Sequence, residues 1–427
     1  MESYQTLSTP PESVWPRLFD VTHCHPADDP TRWTDRSRLH KKLEDSKLGT
    51  IVAMSTNFED QDIVAEMATL SDGKVLPCFG YHPWFVHSIS LRNPPLPKRE
   101  HYQSIFGEKQ MRNFTDDFEQ VLPELADPVP IGRALAILRS NLERFPDAML
   151  GEVGLDRAFR IPFKAWSYRP ENEQRMEEGE VETPSSSSSC CCSTRKGHGE
   201  VKDLVEGNEG WRKGRRGSMT KTRTPLSDGR RLTKLQTPIE HQAAVLKAQI
   251  GVAVELGRNV SFHAVQCSGR VMDLMKELCM EHPGGFQNGF RDINLVLHSC
   301  TLDQNIVKSL QSKHSNLYFS FSTAINLRHK VLRDQIKTCR PERILSESDH
   351  HTVEGFEQRV WDVVKLIGDV LLGDVEEGGE DEVQRYDGVV SRLESNWRGF
   401  CRNASFRREQ GSNEEEEDEV GDRNLGR

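Results

Sequence analysis

Leu18-Phe19-Asp20-Val21-Thr22-His23-Cys24-His25 is an apolar run that closes on two histidines one residue apart. In an extended strand, side chains two apart share a face, so His23 and His25 project together while Cys24 turns away as a packing residue. Two imidazoles on one face supply half of a metal cage. A lone His-x-His is more often a surface or core pair, so its weight depends on whether later strands also end in ligands.

The chain repeats one scheme from this strand onward. A polar helical stretch from about Arg32 leads to the strand Thr50-Ile51-Val52-Ala53-Met54. A helix near Asp60 to Leu70 precedes Val75-Leu76-Pro77-Cys78-Phe79, which runs into Gly80-Tyr81-His82-Pro83. Residues 87–115, rich in proline and charge, read as an insertion and, like the second one below, are expected to be disordered. A helix near Arg133 to Phe145 then introduces Met149-Leu150-Gly151-Glu152-Val153-Gly154-Leu155-Asp156. From about 160 to 236 periodicity collapses into Ser185 to Ser189, the triplet Cys190 to Cys192 and a basic run from Arg212 to Lys234, a low-complexity insertion expected to be disordered. Order resumes at Thr237-Pro238-Ile239-Glu240, where Thr237 is the expected N-cap and Glu240 the expected partner of a capping box. Gly257 stops that helix before Val260-Ser261-Phe262-His263.

The remaining units carry strands at Ile293 to His298, Leu317 to Phe321 and Arg343 to Asp349, with helices near Val271 to Met280, Gln304 to Lys313, Leu327 to Thr338 and Phe356 to Leu372. Eight strand-helix units favour a (β/α)8 barrel, a TIM barrel, over an open doubly wound sheet. The expected organisation is an extension over 1–16, a barrel over 17–405 with insertions near 87–115 and 160–236, and a disordered acidic tail over 406–427. A last amphipathic helix near Tyr386 to Phe400 is expected to pack on the barrel.

Composition agrees with a globular core carrying polar additions: 35% of the 427 residues are hydrophobic, and the deficit is concentrated in the insertions and the tail. The ten cysteines contain no Cys-x-x-Cys, which argues against a disulfide framework or a zinc finger. A net charge of −10 argues against a surface that attracts nucleic acid along its whole extent. No apolar run reaches the length of a membrane span and the N-terminus lacks signal-peptide features. The expectation is a soluble intracellular protein, cytoplasmic or nuclear, Arg212-Lys213-Gly214-Arg215-Arg216 being a weak import-like cluster.

In this scheme His23 and His25 end the first strand, Glu152 the fourth, His263 the fifth, His298 the sixth and Asp349 the eighth. All six fall at the C-terminal mouth, where barrel enzymes keep their active sites. Burying that many imidazoles and carboxylates without cations would be costly, so a site for one or two divalent metals is expected. Oxygen and imidazole ligands suit Mg²⁺, Mn²⁺ or Zn²⁺ without choosing among them.

With these motifs in order, the chain resembles the TatD-like metal-dependent hydrolases and deoxyribonucleases, in particular fungal members with long insertions. Those members are often described as interactors of a cell-cycle ubiquitin-ligase subunit. The resemblance rests on His23-Cys24-His25, Gly80-Tyr81-His82-Pro83, Gly151 to Asp156, His263, His298 and Glu347-Ser348-Asp349, and it spans about 17–372 outside the insertions. It implies that His23, His25 and Asp349 hold one metal, that His263 and His298 hold a second, and that Glu152 bridges them. Two such metals clamp a phosphodiester and lower the pKa of a water, with Asp349 accepting its proton. His82 is expected as a substrate contact, and Glu347, sharing a strand face with Asp349, as a residue that orients a ligand or a histidine rather than binding metal. The chain departs from the family pattern at Val21, Arg157, Val265 and His350; at Val265 many members carry an arginine, which bears on phosphate binding.

The leading expectation is a metal-dependent phosphodiesterase, a deoxyribonuclease acting from a DNA end with Asp349 and Glu152 in the chemistry. Two alternatives stand beside it. One is hydrolysis of another small ester or amide. The other is an adaptor whose insertions and tail bind a protein partner while catalysis is vestigial.

Overall fold

The computed structural model describes residues 20–29, 35–164, 231–284, 288–327, 329–373 and 382–402. Eight parallel strands follow in chain order: β1 (Asp20–Cys24), β2 (Ile51–Met54), β3 (Val75–Phe79), β4 (Met149–Asp156), β5 (Val260–Val265), β6 (Leu295–Leu297), β7 (Leu317–Phe321) and β8 (Ile344–Ser346). Each pairs with the next. The ends of the first and last are joined by His25 N–H donating to His350 O (2.8 Å) and Asp349 N–H donating to His23 O (3.1 Å). The sheet therefore curls into the expected barrel.

Sequence chemistry explains the elements. β2 and β7 are buried along their whole length, as a parallel sheet covered by helices requires. The helix Ile131–Arg144 turns Ala134, Leu138 and Leu142, spaced by four, onto the sheet. Gly257 takes a left-handed φ of 66° and ends the helix Ile239–Leu256. That helix begins differently from expectation: Pro238 is the N-cap, and the buried Thr237 hydroxyl has no hydrogen-bond partner, so the capping box does not form.

The N-terminal end of the barrel is closed by the helix Glu382–Cys401, as expected for a last helix packing on the barrel. Its Trp397 and Phe400 pack on Val52, Met54, Cys78, Met149, Val296, Tyr318 and Leu345. Phe400 O accepts from the Nδ2 of Asn259 (2.8 Å) and of Asn294 (2.7 Å), and Asn396 Nδ2 donates to Ile344 O (2.8 Å). With that end plugged, the opposite mouth is left for chemistry.

Three further expectations are corrected. The stretch 87–115 is an ordered cap: helices Lys98–Asn113 and Thr115–Val121 bury Tyr102, Phe106, Phe118 and Val121 together with Ile161 and Leu235. Its apolar residues are too few to show as a periodic run, because the cluster is completed by residues distant in sequence. The second insertion is narrower than 160–236, since 161–163 and 231–235 form an antiparallel pair. Ile161 N–H donates to Leu235 O (3.1 Å), Thr233 N–H to Ile161 O (2.8 Å) and Phe163 N–H to Arg231 O (3.0 Å). Residues 165–230, including the cysteine triplet and most of the basic run, lie outside the described residues, as do 1–16 and the acidic tail. Lastly, β8 stops at Ser346, so Glu347 and Asp349 lie beyond the strand rather than on one face of it.

Because Phe163 and Arg231 are hydrogen-bonded neighbours, replacing 165–230 by a short turn should leave cooperative thermal unfolding intact. Loop length changes closure entropy by only ~0.6 kcal/mol per doubling. A cut extending to 234 would remove Thr233 and the ladder with it. Non-cooperative melting of the shorter deletion would show that 165–230 belongs to the core.

Candidate metal centre

Glu152 sits at the centre of the mouth, 3% exposed, and its two oxygens face different groups. Oε2 lies 3.3 Å from His23 Nε2 and 3.2 Å from His25 Nε2, which are themselves 3.0 Å apart. Asp349 Oδ1 faces the same two nitrogens at 3.8 and 3.7 Å. Oε1 lies 2.7 Å from His263 Nδ1, 2.7 Å from His298 Nε2 and 3.1 Å from His82 Nε2. The rings of His23 and His298 stack at 3.8 Å and link the two groups. All six residues expected at the mouth are brought together, and His82 joins them.

Local structure accounts for each placement. β4 runs four residues past Glu152, so Glu152 lies within its strand and not at its end, where the register with β5 shifts between the pairs Leu150–Val260 and Val153–Phe262. Gly154 lets β4 approach β5 there: a Cβ on it would lie 2.0 Å from His263 O. Asp349 adopts φ +46°, a left-handed conformation that aspartate tolerates better than most residues, and this turns its carboxylate into the mouth. Cys24 is buried with its thiol donating to Val52 O, the packing role expected of it.

The supports were only partly visible in the sequence. Ser261 Oγ is 2.9 Å from His23 Nδ1; its position two before His263 on one strand face was the available signal. Asp156 accepts from Trp84 Nε1 (2.7 Å), Ala158 N–H (2.6 Å) and Phe159 N–H (2.9 Å), and lies 3.4 Å from His263 Nε2. Glu347 accepts from Ser299 N–H (2.7 Å), Ser299 Oγ (2.5 Å) and the Ser320 hydroxyl. It stands 3.8 Å from His298 Nδ1, beyond hydrogen-bond length, so it acts on that ring through charge while it accepts its hydrogen bonds from the serines.

The electrostatics favour added positive charge. Burial works against the charge of Glu152, yet the imidazoles of His82, His298 and His23 hold its carboxyl well below the usual range. Burial likewise opposes the charge of Asp349, and His23, His298 and His25 outweigh it. In return Glu152 lifts His25 to about 9 and His298 well above its ordinary value, against the burial of both. Burial lowers His23 and takes His82 down to about 4. Asp156, though buried, is held at about 2 by His263 and Trp84.

Among the described residues no lysine or arginine pairs with Glu152 or Asp349, so imidazoles are the only basic side chains that face them there, and Asp349 Oδ2 also accepts from the Ser299 hydroxyl (2.8 Å). Groups able to hold a metal ion are His23–His25–Glu152, His23–His298–Asp349 and His82–Glu152–His263. This donor set of imidazole and carboxylate fits divalent cations of the Mg²⁺, Mn²⁺ and Zn²⁺ kind.

A parallel barrel whose mouth gathers imidazoles and carboxylates from six strands and the loops after them carries groups that could hold a metal ion where barrel enzymes keep their active sites. The family model described as TatD related DNase matches residues 19–178 and 229–363, well over half of the chain. The chain belongs to this family. It is 24% identical over 406 residues to the Cut9-interacting protein scn1 of Schizosaccharomyces pombe, covering 89% of this chain and 97% of that one. To a protein of Saccharomyces cerevisiae described as an uncharacterized deoxyribonuclease it is 23% identical over 345 residues, 78% of this chain and 83% of the relative. A solved TatD homologue from Escherichia coli aligns with 90% of this chain and 97% of its own at 14% identity and a TM-score of 0.46. Among the described residues no helix is long and apolar enough to cross a membrane.

Proposed function

We propose that the protein is a divalent-metal-dependent phosphodiesterase, a deoxyribonuclease that works from a DNA end. The observation that carries this reading is Glu152, whose two oxygens serve two separate imidazole groups. His23, His25 and Asp349 would hold one cation, His263 and His298 the other, with Glu152 between them. Bound there, the cations would polarise phosphoryl oxygens and acidify a water near neutral pH. Asp349, at the rim, receives the proton of the attacking water. His82 Nδ1 accepts from Trp84 N–H (3.2 Å), so the neutral ring carries its proton on Nε2, facing the site as a donor to a phosphoryl oxygen. The description of the family and that of the budding yeast relative support DNA as the substrate.

The test is incubation of the purified full chain with end-labelled single- and double-stranded DNA in Mg²⁺, Mn²⁺ or Zn²⁺. Cleavage that a chelator abolishes and added metal restores is expected. No cleavage of either DNA with any metal would overturn the nuclease reading. A second reading, an adaptor for a protein partner, is favoured by the name of the fission yeast relative. It predicts a stable complex that forms equally well when Asp349 is replaced.

Metal uptake should also release protons. With His25 lifted from 6.5 to about 9, the folded metal-free protein keeps a proton there through neutral pH that a ligand must shed. Affinity is therefore expected to rise with pH through about 9. The sign for stability is opposite in the metal-free protein: the contribution of His25 is full below 6.5 and is lost as pH climbs through about 9. Calorimetric titration in buffers of different ionisation enthalpy reads the proton count. Uptake at neutral pH without proton release would remove His25 from the ligand set.

A further inference from the structure

Five imidazoles face Glu152, and four of them, His23, His25, His82 and His298, do so through Nε2. His263 alone presents Nδ1. A neutral imidazole has one lone-pair nitrogen, and the hydrogen bond made by the other nitrogen decides which it is. For His263 that other nitrogen is Nε2, 3.4 Å from Asp156 Oδ2. The same oxygen accepts the indole N–H of Trp84 at 2.7 Å, while Oδ1 is fixed by two backbone N–H groups.

Trp84 is held in turn. Its ring stacks on Phe159 at 4.8 Å and 12°, and Phe159 packs against the cap cluster of Tyr102, Phe106, Phe118, Ile161 and Leu235. Its backbone N–H also donates to His82 Nδ1, so one residue sets the metal-facing or substrate-facing nitrogen of two rings.

We infer that Trp84 and Asp156 are positioning residues that lock His263 with its Nδ1 lone pair toward the cation, and that the ordered cap holds Trp84 in this pose through Phe159. The inference rests on the metal reading of the site. It gives the cap a function: an insertion outside the barrel core sets the affinity of the half-site that contains His263.

The test uses the full chain and Zn²⁺ or Mn²⁺ alone, without DNA. Trp84→Phe keeps the ring stack and the backbone donor and removes only the indole N–H. Asp156→Asn keeps the backbone bonds through its carbonyl and turns an NH2 toward two donors. Each variant should weaken one of two metal equivalents about ten- to hundredfold and leave the other unchanged. Phe159→Ala should weaken the same equivalent less. Ring ¹⁵N shifts at alkaline pH supply a readout independent of metal: His263 should carry its proton on Nε2 in the wild type and shift it toward Nδ1 in Asp156→Asn, whose NH2 faces Nε2. Unchanged metal affinities with an unchanged His263 tautomer would overturn the proposal. So would a lower melting temperature alone, which is what a purely structural pair would give. A wild type that binds no metal yet shows the Nε2–H tautomer would sink the metal reading and leave the tautomer lock standing.

Discussion

Asp349→Asn is expected to fold normally, bind DNA and cleave it roughly 10²–10⁴-fold more slowly, the contribution typical of a general base. Folding should survive because asparagine tolerates the left-handed φ of +46° about as well as aspartate. The backbone bond from residue 349 to His23 O, which helps close the barrel, does not involve the side chain. The amide still offers a carbonyl oxygen toward His23 and His25, but it has neither negative charge nor useful basicity. Asp349→Ala is a poorer test, since a left-handed alanine adds backbone strain of about 1–2 kcal/mol and confounds stability with chemistry. Single-turnover cleavage, melting temperature and metal content measured on one preparation separate the roles. Near-wild-type cleavage at saturating metal would remove Asp349 from the chemistry.

Glu152→Gln should do more, because it weakens both half-sites at once. The side chain is nearly isosteric, so the packing around it is retained, and the imidazoles that Glu152 now holds protonated can revert to neutral rather than unfold the site. What disappears is the one negative charge shared by His23 and His25 on one side and His82, His263 and His298 on the other. Losing several kcal/mol of cation-derived charge stabilisation corresponds to a rate drop on the order of 10³-fold or more. Elemental analysis after dialysis should show both equivalents depleted, whereas a ligand of one half-site would deplete one. Full occupancy of both in this variant would mean that Glu152 does not bridge.

Sequence alone determined the barrel and the population of its mouth, because both rest on local rules. A strand's alternation fixes which side chains share a face, strand-helix repetition fixes the architecture, and polar groups closing apolar runs mark the strand ends. His23, His25, Glu152, His263, His298 and Asp349 could all be placed at one mouth on those grounds. The tertiary structure decided what these residues do to one another. That Glu152 serves the two groups with separate oxygens depends on the register of β4 against β5, which no periodicity carries. That Asp349 reaches His23 depends on a left-handed turn beyond β8, where the sequence suggested that the strand continued. The order of the 87–115 stretch was hidden because its helices bury their apolar faces against Ile161 and Leu235, which become neighbours only after the chain has folded. The link from Trp84 through Asp156 to His263 joins the loop after β3 to β4 and β5. Its physical basis is a set of hydrogen bonds between distant segments, and such bonds exist only once the barrel has closed.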